Sequence, residues 1–257
     1  MDLALVGKVA LVTGGSRGIG KAICGCLAAE GCHLGLCARD RGELERTVGE
    51  LLARGVKVHG AVADVTVPGA VERFVDEAAA TFGEIHHLVA NVGGTIGQGF
   101  FEATPEDWAQ TFNLNALHAV RAIRAALPYM KQTEACSIVI IGSISGRKPG
   151  PKPQYGAAKA AEIFLAGALA RELAPKRIRV NTVSPGSILF PGGGWDRFRT
   201  QNPDRFEAFV HRAFPWERLG TAGEVADAVT FLLSPRARWI NGANIAVDGA
   251  QDEPTAP

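Results

Sequence analysis

Tyr155 and Lys159, in the run Tyr-Gly-Ala-Ala-Lys, are the first pair in this sequence whose types and spacing could do chemistry. On a helix the i, i+4 spacing sets a phenol and an ammonium on one face. A free tyrosine titrates near ~10, too high to exchange protons readily at neutral pH, and a cation held close by favours the phenolate. Such a pair can protonate a carbonyl oxygen, or deprotonate an alcohol, while a hydride moves. Taken alone it is an ordinary feature of a solvated helix face. Ser143 adds to it, because it follows the apolar run 137–141 and precedes Tyr155 by twelve residues. A hydroxyl at the C-terminal edge of a parallel strand stands where open α/β sheets bind ligands.

A second constellation is built from glycines. Val9-Ala10-Leu11-Val12-Thr13 runs into Gly14-Gly15-Ser16-Arg17-Gly18-Ile19-Gly20 and then into a helical pattern. Glycines at a strand-to-helix turn permit positive φ and let the backbone approach a pyrophosphate, while the helix N-terminus offers free N–H groups. A tight turn that merely joins two elements would look similar. Its place after the first strand of an α/β pattern makes it a dinucleotide site. NAD enzymes of this fold set an acid at the end of the second strand, on the ribose 2′-OH. Here that strand ends in Ala38, followed by Arg39 and Asp40. Arg17 and Arg39 suit a 2′-phosphate, through charge-assisted bonds. The expected cofactor is therefore NADPH. NADH is the alternative, with both arginines solvated and Asp40 turned onto the ribose.

These residues need a framework, and the pattern supplies one. Short apolar runs at 9–13, 33–38, 57–62, 87–90, 137–141, 179–183 and 244–247 alternate with helical stretches at 19–30, 41–53, 67–82, 105–131, 155–173 and 221–232. Near-continuous apolar strands are those of a parallel sheet covered on both faces. The expected fold class is α/β: a single Rossmann-type, doubly wound parallel sheet of about seven strands, spanning 1–257 as one domain. Thr104-Pro105-Glu106-Asp107 and Thr221-Ala222-Gly223-Glu224 mark two helix starts.

Composition narrows the function classes. The 257 residues are 47% hydrophobic, and 27 basic against 26 acidic residues leave a net charge of +1, no footprint for nucleic acid or an anionic membrane. Cys24, Cys26, Cys32, Cys37 and Cys136 are odd in number without a C-x-x-C pair, which suits buried thiols in a reducing compartment. Six histidines show no metal spacing, so no metal is expected. The first residues lack the pattern of a signal peptide, and no apolar run reaches the ~20 residues that span a bilayer. The expected location is the cytoplasm.

The Thr-Gly-x-x-x-Gly-x-Gly spacing at Thr13–Gly20, joined to Ser143 and Tyr155-x-x-x-Lys159, resembles the classical short-chain dehydrogenase/reductase family, of the type that includes 3-oxoacyl-[acyl-carrier-protein] reductases. The likeness runs from Gly7 to Gly249. It implies a catalytic tetrad of Asn115, Ser143, Tyr155 and Lys159. Ser143 would orient the substrate oxygen, Tyr155 would donate the proton, and Lys159 would also hold the nicotinamide ribose. Asn115 would support a water-linked proton path; Asn113 competes for that role, but the distance from Trp108 fits Asn115 better. The phosphate turn would contribute Gly14, Ser16, Arg17, Gly18, Ile19 and Gly20. Asp64 and Val65 resemble the pair that contacts adenine. Asn91-Val92-Gly93 follows the family pattern with Val92 in place of alanine. Pro185-Gly186 resembles the turn that leads over the nicotinamide, and backbone groups near Ile188 would hold its carboxamide. Many members carry a threonine on the cofactor where this chain has Phe190.

The stretch 187–215 reads as one long irregular segment, a lid over the substrate. It carries Phe190, Trp195, Phe198, Phe206, Phe209 and Phe214, with Gly192-Gly193-Gly194 as a hinge. The expected substrate is a bulky, largely apolar ketone contacted by Phe190 and Trp195, alongside Ser143 and Tyr155. The other use for these rings is to anchor the segment. The expected activity is NADPH-dependent reduction of a ketone, 3-oxoacyl-like or another bulky apolar carbonyl, to a secondary alcohol. Its rivals are an NAD-dependent secondary alcohol or dihydrodiol-type dehydrogenase and a non-catalytic redox sensor. The helices at 105–131 and 155–173, long and rich in small residues, are expected to pair copies into a homodimer or homotetramer.

Overall fold

A computed structural model describes residues 1–130 and 136–252, and its centre is one parallel sheet of seven strands. The strands are β1 (Val9–Thr13), β2 (His33–Ala38), β3 (Val58–Val62), β4 (His87–Ala90), β5 (Cys136–Ile141), β6 (Ile178–Pro185) and β9 (Asn244–Val247), in the order β3-β2-β1-β4-β5-β6-β9. All their pairings are parallel. A pair too short to be legible from periodicity, β7 (Ile188–Leu189) with β8 (Gly220–Thr221), stands apart. β1, β4, β5 and β6 are buried along their whole length, which accounts for the mostly apolar runs of β1, β4 and β5, while β6 also buries Arg179, Asn181, Thr182 and Ser184.

Helices cover both faces. On one side α1 (Gly18–Ala29), α2 (Arg41–Leu52) and α9 (Ala222–Leu233) close a core around Ile23, Leu27, Leu36 and Val229. On the other, α3 (Ala70–Phe82), α5 (His118–Ala126) and α6 (Pro153–Leu173) close a core around Phe74, Leu88, Ile123 and Ile138. The order of strands reverses direction between β1 and β4, so the chain leaves a crevice beyond the carboxyl ends of those two strands. The glycine turn opens there.

The expected boundaries shift where local chemistry intervenes. The helix expected from 67 begins only at Ala70, because Gly69 takes a left-handed conformation at its cap (φ +77°). The helix expected from 155 begins at Pro153, a first-turn proline that needs no N–H partner. The helix expected over 105–131 is broken. It consists of α4 (Pro105–Phe112), a π-helical turn (Asn113–Leu117), α5, and a 3₁₀ turn (Leu127–Tyr129) containing Pro128; Lys131 lies outside the described residues. The Asn115 side-chain amide donates to the Thr111 carbonyl at 2.6 Å and takes an acceptor that an α-helix would give to a backbone N–H. Both expected caps form: Thr104 with Asp107 and Thr221 with Glu224 are reciprocal capping boxes.

The segment 187–215 is not irregular. It holds β7, α7 (Gly194–Gln201) and α8 (Pro203–Ala213), joined at Asn202. Its rings pack largely on each other around buried Phe214 and Leu219. Trp195 stacks on Phe209 at 4.6 Å, and Phe209 meets Phe214 edge-on at 5.8 Å. Short, polar-faced helices stabilised by such a local cluster leave no long apolar run to betray them.

All five thiols are free, and burial pushes those of Cys24, Cys32 and Cys37 up to about 12. Among the described residues, no group of His, Cys, Asp and Glu could hold a metal ion, and no helix is long and apolar enough to cross a membrane.

Two imidazoles carry a pH dependence. Burial first, then nearby positive charges, pushes His87 and His118 down from 6.5 to about 3. Below 6.5 the unfolded chain takes up protons at these sites and the folded chain does not, so their share of stability is full above that pH and is lost as pH falls toward about 3. Thermal unfolding is expected to show Tm falling already between 6.5 and about 5, above the carboxylate range. A Tm that stays flat across that interval would contradict neutral, buried imidazoles.

Candidate active site

The crevice at the strand reversal is a cleft of about 530 Å³. One end is built by the turn after β1. Gly14 (φ +68°) and Gly18 (φ +53°) take conformations that favour glycine, and the Gly14 and Gly15 N–H groups donate to the Cys37 carbonyl at 2.8 and 3.1 Å. A Cβ at Gly20 would lie 2.1 Å from the Gly14 carbonyl oxygen, so no larger residue lets the turn close. Asn91, just past β4, clamps it: its Nδ2 donates to the Thr13 and Gly14 carbonyls at 2.9 and 3.2 Å. α1 then starts with Arg17 at its cap and no side-chain bond to its first N–H groups, leaving them free for an anion.

The adjoining wall carries Arg17 and Arg39, both exposed, with Ser16 and Ile19 between turn and helix. Asp40 is occupied as the cap of α2, its Oδ1 accepting from Glu43 N–H at 2.8 Å. Asp64 lies 4.0 Å from Arg39 and accepts from the Thr66 hydroxyl at 2.7 Å and the Thr66 N–H at 2.9 Å. Burial works to raise the Asp64 carboxyl, but those bonds and Arg39 hold it below its ordinary value. Val65 completes this wall.

At the opposite end β5 and α6 bring three side chains together. Ser143 directly follows Gly142 at the end of β5; its oxygen accepts from Ser145 N–H at 3.1 Å, which leaves the hydroxyl proton free to donate. Tyr155 and Lys159 face the cleft from the first two turns of α6, the ammonium 5.7 Å from the phenol ring centre. The Lys159 Nζ donates to the Ile141 carbonyl at 2.8 Å and to the Glu162 carboxylate at 2.9 Å. Burial works against that ammonium, yet Glu162 and then Tyr155 hold it above its ordinary value.

Asn115 does not line the cleft. It is fully buried behind Gly93 and Gly94, donating to the Gly94 carbonyl at 2.7 Å and accepting from the Gly94 N–H at 3.2 Å. A Cβ on Gly93 would meet Lys159 Nζ at 2.7 Å and Asn115 Oδ1 at 2.9 Å, so these two polar groups crowd the same glycine. Asn113, the competing candidate, faces away and binds the Thr66 carbonyl and Arg121. Val92, Pro185, Gly186 and Ile188 line the floor between the two ends.

The two aromatic candidates differ in place. Trp195 lines the cleft but is tied to Phe209. Phe190 sits at the phosphate turn, with ring atoms 2.8 Å from where a Gly18 Cβ would stand. It is a neighbour of the anion-binding end more than of Tyr155. Sequence reading missed Glu43 and Leu114, which also line the cleft, and Glu162 and His118, which stand behind it. Of these only Glu162 left a signal, an acid three residues after a lysine on an otherwise apolar helix face.

Comparisons with known proteins agree with this geometry. The family profile described as enoyl-(acyl carrier protein) reductase matches residues 14–250. The chain is 36% identical to the 3-oxoacyl-[acyl-carrier-protein] reductase FabG of Escherichia coli over 245 residues, covering 95% of this chain and 96% of that one. It is 33% identical to the isoepoxydon dehydrogenase patN of Aspergillus clavatus over 253 residues, covering 96% and 95%. Its fold superposes on the L-sorbose reductase of Gluconobacter frateurii, solved with NADPH and L-sorbose, with a TM-score of 0.91 at 32% identity, covering 97% of this chain and 98% of that chain. Glycine turn, serine, and Tyr-x-x-x-Lys on one cleft of a seven-stranded parallel sheet place this chain in the short-chain dehydrogenase/reductase family of nicotinamide-dependent oxidoreductases.

Proposed function

We propose that this chain is an NADPH-dependent reductase that converts a bulky, largely apolar ketone to a secondary alcohol, with Tyr155 giving the proton. The observation that carries the reading is one cleft with an anion-binding turn at one end and Ser143, Tyr155 and Lys159 at the other. The cradle fits a dinucleotide: the turn closes tightly, with no room for a Cβ at Gly14, Gly18 or Gly20, and it leads into an uncapped helix N-terminus. Two exposed arginines flank the adenosine side, and Asp40, the acid that could have received a ribose 2′-OH, is spent on capping α2. L-Sorbose reductase, a relative by fold, holds NADPH.

The bound nicotinamide would supply the hydride. Ser143 would donate to the carbonyl oxygen and orient it, and Tyr155 would pass its phenolic proton to that oxygen as charge develops there. Lys159, beside the ring, would stabilise the phenolate left behind and would hold the nicotinamide ribose. Asn115 stiffens the Gly93–Gly94 backbone against which Lys159 lies. We read the whole chain as one catalytic domain, working in the cytoplasm, with 187–215 as its substrate cover. Assembly of copies through α4, α5 and α6 is supported by Phe164 on α6, 79% exposed. The relatives' own names span a sugar and an acyl chain, so the apolar substrate rests on the aromatic cover alone.

Three outcomes test this reading. Tyr155→Phe is expected to lower turnover about 10²-fold or more while NADPH affinity stays near that of the parent; near-normal turnover would overturn the assignment of the proton donor. Arg17→Ala with Arg39→Ala is expected to weaken NADPH binding about 10–100-fold and leave NADH binding almost unchanged, read by titration calorimetry. A parent enzyme with higher kcat/KM for NADH would overturn the cofactor. Trp195→Ala is expected to raise KM for bulky ketones about tenfold more than for small ones; an equal change across substrate sizes would make the ring a strut for Phe209.

A further inference from the structure

Glu162 lies one turn beyond Lys159 and two beyond Tyr155 on α6. It is fully buried, and Lys159 is 2% exposed. The same stripe of the helix continues with buried Ala166, Ala170 and Leu173, so an apolar side chain at 162 would serve packing. A buried ion pair is rarely more stabilising than the apolar pair that could replace it. The carboxylate is also incompletely satisfied. Oε2 accepts from Lys159 Nζ at 2.9 Å, while Oε1 is buried with no hydrogen-bond partner. What Glu162 touches is the ammonium that lies 5.7 Å from the Tyr155 ring centre.

We propose that Glu162 is a positioning residue for the proton transfer: its carboxylate fixes the Lys159 ammonium between β5 and α6 and offsets its charge, and so sets how strongly that cation favours the Tyr155 phenolate. This rests on the reading of Tyr155 as proton donor. With Glu162 in place Tyr155 faces a nearly neutral pair. With the carboxylate removed it faces a buried cation held only by the neutral Ile141 carbonyl. In agreement, Lys159 is held above its ordinary value against its burial, chiefly by Glu162, while burial pushes Glu162 up and Lys159 pulls it back.

Arg147, Lys148 and Lys152, between β5 and α6, line a separate pocket that Tyr155 also borders, and Lys148 is paired there with Asp248 at 3.2 Å. The charged or titratable groups on the other elements packed here are engaged as follows. His118 of α5 is neutral, its Nδ1 paired with the Asn115 carbonyl at 2.8 Å and its Nε2 3.2 Å from the Thr13 hydroxyl. Arg121 of α5 binds Asn113 and the Val65 carbonyl. On α4, Asp107 caps its own helix and Glu106 accepts from Gln110. Arg179 of β6 reaches the Ser234 carbonyl. β5, the turn Asn113–Leu117 and the turn Ile144–Gly146 bring no charged side chain.

The chain has only two tyrosines, which makes the test direct. In a Tyr129→Phe background the near-ultraviolet phenolate signal reports Tyr155 alone, without substrate or cofactor. Glu162→Gln is expected to move the onset of that signal to lower pH by about one unit. Glu162→Asp, which keeps the charge but withdraws it by one methylene, is expected to move it the same way by less, and it serves if the Gln variant does not fold. The alkaline fall of kcat/KM for ketone reduction should shift by the same amount in each variant. An unmoved or upward titration in the folded variants would overturn the proposal and leave Glu162 a packing residue. If Tyr155→Phe abolishes turnover while the titration is unmoved, only this inference fails. If Tyr155→Phe keeps its turnover, the proposed function fails with it.

Discussion

A protonated amine with almost no water around it must be held by oxygen atoms, and Lys159 is held by the Ile141 carbonyl at 2.8 Å and the Glu162 carboxylate at 2.9 Å. That requirement joins the C-terminal edge of β5 to the first turns of α6. Ser143 sits two residues past Ile141 and Tyr155 one turn before Lys159, so the same two bonds set the spacing between hydroxyl, phenol and ammonium. Gly93 must lack a side chain because Lys159 Nζ and Asn115 Oδ1 already fill the space. The π-helical turn at Asn113–Leu117 follows from placing the Asn115 amide there, since its bond to the Thr111 carbonyl disturbs the regular ladder.

The anion end obeys a different constraint, close approach without side chains. Gly14, Gly15 and Gly20 each meet another atom closer than 3 Å when given a Cβ, and Asn91 locks the turn to the neighbouring strand through two carbonyls. The two ends are independent in chemistry and share only the reversal of strand order between β1 and β4. This is why a single sheet can set a phosphate site and a proton donor across one cleft.

Much of this was legible in the sequence, for physical reasons. Strands buried on both faces are rich in apolar residues, and the seven main strands stood out within one residue of their ends, except for β6, which runs two residues further, to Pro185. Chemistry confined to short spacings, Tyr155 to Lys159 and Gly14 to Gly20, was equally open to inspection. Features created by tertiary contact were not. Nothing local announces that Asn115 will break its helix, that Phe190 will lie on Gly18, or that 187–215 will fold into two short helices around Phe214. Glu162 is intermediate: its spacing was visible, but only the buried partner gives it meaning.

The central claim is that this cleft moves a hydride from NADPH to a carbonyl carbon, with the proton supplied by the chain. The most direct measurement is transfer of label from NADPH deuterated at its hydride-donating carbon to a panel of bulky ketones, read by mass spectrometry of the products. The account predicts a secondary alcohol with one deuterium on the carbinol carbon. Tight NADPH binding with no deuterium in any product across the panel would contradict it.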